Sequence, residues 1–172
     1  QLGMTEVDTT GDLDVTATRI ADVETKAGAI SVSLLAGVGG SVDFVTIAGT
    51  TEAFMIGACT NAAGDTSVQA LSLTQIDGRS GTGGGGGIAS VCGASAIHVI
   101  ETKTDAYLQY GGPRCTINAD PAYAGPDQDV AVSATDHAEI YGRAGTYSAS
   151  IGGGVGGSID VGVIRNSARA EI

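Results

Sequence analysis

Polar and apolar residues alternate with period two along much of the chain. Leu13, Val15 and Ala17 alternate with Asp14 and Thr16, and Val130, Val132 and Ala134 repeat that phase. Ile159, Val161 and Val163 alternate with Asp160 and Gly162. Period two is the signature of strands whose two faces differ. A helical period of 3.6 is not evident, and Gly and Thr are too frequent for long helices. The pattern predicts strands over 12–18, 21–26, 29–35, 41–47 and 51–56, with Gly or Asp in the turns between them.

The phrase "GVGGSVDF" at 37–44 returns as "GVGGSIDV" at 154–161. At an offset of 117, residues 12–54 lie on 129–171 without a gap, and 17 of the 43 positions are identical. Eight of the others are Leu/Val, Val/Ile, Leu/Ile, Thr/Ser, Asp/Glu or Lys/Arg exchanges, which keep size and polarity. A third, more degenerate copy stands between them. "IHVIETKTDAYL" at 97–108 aligns with "FVTIAGTTEAFM" at 44–55 and "VGVIRNSARAEI" at 161–172. The offsets are then 53 and 64, and the extra length falls in a proline-bearing excursion at about 110–128. In the middle copy, "GTGGGGG" reads as a turn or as a strip of close backbone approach.

Repetition of period-two units indicates a stack in which each residue meets a similar one above and below. The fold expected is all-β, a parallel β-helix (β-solenoid) built from about three degenerate repeats. It forms one continuous segment over 1–172, with repeats of roughly 1–55, 56–108 and 109–172. A β-sandwich or β-roll accounts less well for the persistence of the repeat. Coils of about 20 residues would give about eight coils and a rod ~40 Å long. Glycines 37, 39 and 40, with 154, 156 and 157, are expected at a tight corner. The chain starts at Gln1 and stops at a repeat boundary, which reads as a mature form or a piece cut from a longer array.

Composition narrows the function. Apolar residues are 42%, mostly Ala, Val, Ile and Leu, and aromatics are 4%. Such side chains suit thin, closely stacked sheets. The net charge of −11 argues against nucleic acid and anionic membrane as partners. No run of 18 apolar residues exists, so no membrane insertion is expected. The three cysteines, Cys59, Cys92 and Cys115, lack zinc-site spacing. They fit free thiols, or one Cys59–Cys115 disulfide and hence an oxidising compartment.

The repeats "DLDVTAT", "DVAVSAT", "KAG", "RAG", "GVGGSVDF" and "GVGGSIDV" resemble those of very large bacterial surface proteins. So do the tails "IAGTTEAFMIG", "IETKTDAYLQYG" and "IRNSARAEI". These proteins are the filamentous-haemagglutinin-like or leukotoxin-like filamentous adhesins, exported by two-partner or autotransporter routes. The resemblance implies a β-helical stalk or fibre outside the cell, at the bacterial surface, working in adhesion or cell–cell contact. Its partners would be adjacent repeats, copies of itself, or host or neighbouring-cell glycans and proteins. It transfers no binding residue.

Candidate chemistry is sparse. His98 aligns with Val45 and Gly162 and takes the opposite phase to Ile97 and Val99, which are read as inward. It is therefore expected to face solvent. His137 is the other histidine. No nucleophile–histidine–carboxylate set has support from the repeat, so no catalytic residue and no enzyme activity are expected. No cofactor is expected either. Asp120, Asp127 and Asp129 make an oxygen-rich loop in which calcium is a secondary expectation. Asp43 and Asp160, equivalent by repeat, are read as facing water and opposing lateral sheet pairing. The alternatives are a self-assembling extracellular filament subunit, a β-helical polysaccharide-degrading enzyme and an ice-binding solenoid with threonine ladders.

Overall fold

The structure, a computed structural model, describes residues 5–109, 117, 118, 120–123, 125 and 128–172. It is a parallel β-solenoid. The strands are β1 (Thr5–Thr9), β2 (Leu13–Ser33), β3 (Ala36–Ile56), β4 (Ala58–Ala62), β5 (Thr66–Gly86), β6 (Ala89–Gln109), β7 (Val130–Ser150) and β8 (Gly154–Glu171). They form three parallel sheets, ordered β2-β5-β7, β3-β6-β8 and β1-β4. The register of the stack equals the repeat offsets. Val15 pairs with Val68 and Val68 with Val132, while Ile47 pairs with Ile100 and Ile100 with Ile164. Like sits over like at steps of 53 and 64.

The size of a coil differs from the expectation. The five short strands expected per repeat merge into two 21-residue strands, β2 and β3. One rung therefore takes a whole repeat rather than about 20 residues. Three rungs at ~4.8 Å spacing rise only about 10 Å from first to last, whereas each long strand runs about 70 Å. The molecule is a broad ribbon where a 40 Å rod was expected. The expected turns fail because their Gly and Asp residues belong to the strands. Gly28, for example, lies inside β2 on the outer face, where an added Cβ would meet only the Gly81 carbonyl at 3.6 Å.

The two long sheets converge towards one end. There the chain reverses through residues 34–35, and glycine replaces side chains on the inward face. An added Cβ on Gly37 would lie 2.5 Å from the Gly85 carbonyl oxygen, and one on Gly39 would lie 2.9 Å from Thr82 Cγ2. These glycines answer face-to-face approach of the sheets, so the expected corner lies at residues just before them. "GTGGGGG" is likewise a close-approach strip inside and just past β5, where Gly84 faces Cys92 across the core. Away from this narrow end the interior fills with larger groups. Ile47, Ile76 and Ile100 form one buried cluster, and Ala53, Val68, Ala70, Ala106 and Leu108 form another. At the wide end Gly57 takes a left-handed φ of 69°, which lets β3 turn into the short β4.

Most of the excursion expected at about 110–128 lies outside the described residues. Thr60 pairs with Ile117, and Asn118 N–H donates to the Thr60 carbonyl at 2.7 Å, so the short sheet gains a third-rung contact before the loop. A corner clasp links all three rungs. Asp65 N–H donates to Asp12 Oδ1, and Asp129 N–H donates to Asp65 Oδ1, each at 3.0 Å.

Candidate functional site

Inward phase is set by Leu13, Val15 and Ala17 on β2, as the alternation predicts. In the second half of each repeat it is not the phase that the apolar residues suggest. Val42 and Phe44 on β3, and Ile159 and Val161 on β8, stand on the outer face. Their neighbours Asp43 and Asp160 point inward. Gly39, Ser41 and Asp43 face inward there, and the larger Val42 and Phe44 stay outside.

This phase gathers a polar cluster inside the ribbon and overturns two expectations. His98, expected to face solvent, is fully buried on β6. Asp43, expected to face water, is 6% exposed on β3. Asp160, on the last rung, also turns inward. His98 Nε2 lies 3.2 Å from Asp43 Oδ2, and Nδ1 lies 3.8 Å from Asp160 Oδ1. Thr25 Oγ1 donates to Asp43 Oδ2 at 2.7 Å. The imidazole fits because Gly78 stands opposite it. A Cβ there would lie 1.9 Å from His98 Nε2. Gly142 makes the same kind of space for Asp160. The imidazole of rung two thus pairs with the Asp43 carboxylate of rung one, while Nδ1, nearest the rung-three Asp160, is buried without a hydrogen-bond partner. The ring itself has no solvent access.

A second inward set lies nearer the wide end. Arg19 on β2 donates from Nη2 to the Ala48 carbonyl at 3.3 Å, over Gly49. Its Nη1 is buried without a hydrogen-bond partner. In the same column, two rungs away, Asp136 accepts from Thr102 Oγ1 and Thr104 Oγ1, each at 3.0 Å. Ser72 separates Arg19 from Asp136.

The outer faces carry charged pairs two residues apart along a strand. Arg79 hydrogen-bonds Asp77 and holds that carboxyl below its usual range, while Asp77 raises the guanidinium in return. Glu139 accepts from Tyr141 O–H at 2.9 Å and lies 3.0 Å from His137 Nε2. Both contacts, the tyrosine first, pull its carboxyl down, and the phenol is pushed up. His137 is thus exposed and paired with Glu139.

In the excursion, Asp120 accepts from the Ala122 N–H and Asp129 belongs to the corner clasp. Asp127 lies outside the described residues. Among the described residues no group of three or more His, Cys, Asp or Glu is arranged to hold a metal ion. Cys59 on β4 is disulfide-bonded, Cys92 on β6 is a buried free thiol, and Cys115 lies outside the described residues. No family model matches the chain, and neither the curated proteins nor the solved structures contain a match.

Proposed function

We propose that the chain is a structural segment of a secreted bacterial surface fibre of the filamentous-adhesin kind, serving adhesion or cell–cell contact. The observation that carries this reading is the stack itself. Each repeat is one rung, the rungs superpose in register, and the same pattern can continue beyond either end. The chemistry-bearing histidine is sealed inside as a tie between rungs, which favours a mechanical role over an enzymatic one. A rung of 53 residues is a costly way to gain length and an effective way to gain width. The reading is therefore of a stiff ribbon with broad faces, more than of a thin spacer.

Force spectroscopy on tandem copies tests it. Peeling single rungs should release contour length in steps of about 190 Å for 53 residues and about 230 Å for 64. A featureless extension at low force would remove the mechanical reading. Antibodies against the chain should label fibres on intact source cells and block their adherence. Labelling confined to the cell interior would remove the surface assignment.

A further inference from the structure

Both ends of the stack carry unpaired ladders among the described residues. The strands β2 and β3 are paired on one side by β5 and β6, and β7 and β8 are the last members of their sheets. Rows of free N–H and C=O groups along strands this long are templates for further strands. The internal repeat fixes what would fit. If the first rung of a second copy takes the place of a fourth rung, its residues 12–54 meet the residues 117 positions later in the first copy. Ala17 then stacks on Ala134, Val23 on Ile140, Ser41 on Ser158 and Ile47 on Ile164. Each of these is inward-facing.

Charge selects the same register. Arg19 presents a buried, unpartnered Nη1 at the first end, and Asp136 is an inward carboxylate at the last. Within one chain Ser72 keeps them two rungs apart. Across the seam they become neighbours at ~4.8 Å rung spacing. The corner clasp continues as well, because Asp129 occupies the position from which Asp12 and Asp65 each accept the next rung's N–H.

We propose that the β7–β8 end of the stack binds the β2–β3 end of a second copy of this chain, head to tail, with Asp136 paired to the incoming Arg19. The proposal rests on the reading of the chain as a stacked-rung fibre and adds its partner and seam. Each copy lengthens the filament by three rungs, about 14 Å. The seam also sets like charges together: on the outer face Glu139 meets the incoming Asp22 and Arg143 the incoming Lys26. Asp160 comes beside the incoming Asp43, each next to its own copy's His98.

The test uses the full chain in sedimentation velocity and negative-stain microscopy across a concentration series. Wild type should form filaments whose length grows with concentration. Arg19→Asp and Asp136→Arg should each weaken assembly at least about tenfold, because either leaves like charges in the seam. An equimolar mixture of the two should co-assemble, since every seam then regains an opposite pair. Asp160→Asn should lengthen filaments. Circular dichroism confirms the fold of each variant, and Arg19→Gln with Asp136→Asn replaces any variant that does not fold. A wild type that stays monomeric throughout, or a mixture that fails to co-assemble, overturns the proposal. Filaments indifferent to both reversals overturn this seam while leaving the fibre reading, which the rung-peeling experiment decides separately.

Discussion

The column Ile47–Ile100–Ile164 holds one side chain in three rungs, and the same substitution in each should have graded effects. Ile47 is 8% exposed, Ile100 is fully buried and Ile164 is 45% exposed. Replacing isoleucine by alanine removes three carbons, a transfer loss of about 2.5 kcal/mol when burial is complete. At Ile100 rungs lie on both sides, so the cavity cannot collapse, and a further 1–2 kcal/mol brings the cost to about 4. At Ile47 the open edge relieves part of the cavity, giving about 2–3 kcal/mol. At Ile164 roughly half of the transfer loss remains and no closed cavity forms, giving about 1 kcal/mol. Urea denaturation at concentrations that keep the chain monomeric measures the series, with an unchanged m-value for each variant. Equal losses at all three positions, or a cost at Ile164 as large as at Ile100, would refute the rung order.

Gly78→Ala should destabilise by about 1–3 kcal/mol, because its Cβ would enter the space of the His98 ring. Gly81→Ala, where a Cβ meets nothing within 4 Å, should cost nothing measurable by thermal denaturation. Asp65→Ala removes the acceptor of the Asp129 N–H and should cost about 1 kcal/mol in the same assay. The Glu139 carboxyl titrates below its ordinary value, so its contribution to stability is present above the unfolded value and fades as pH falls through the folded one. Tyr141→Phe removes the largest cause, so the NMR titration of Glu139 should move up.

Much of the stack is legible in the sequence. The offsets 53 and 64, found by aligning copies, are the register of every long sheet, because stacked neighbours must match in size and polarity. The inward phase of Leu13, Val15 and Ala17 is legible for the same reason. The length of a coil is not, since glycine signals a turn as readily as a close approach. Gly28 and Gly49 lie within long strands, and Gly49 leaves room for Arg19. The phase near Phe44 is obscured because apolar residues there stand outside. His98, flanked by Ile97 and Val99, is sent outward by local pattern alone. The space that draws it inward comes from Gly78 on another strand. The adjacent columns Asp43–Ala96–Asp160 and Val45–His98–Gly162, already given by the offsets, held the missing signal.

The parallel, in-register stacking of whole repeats is tested most directly by backbone NOEs in the labelled protein. Strong interstrand contacts should join Ala17 to Ala70 and Ala70 to Ala134, with ring contacts between Phe54 and Tyr107, whose centroids lie 5.3 Å apart. Contacts joining residues about 20 apart in sequence instead, with none at 53 and 64, would contradict it.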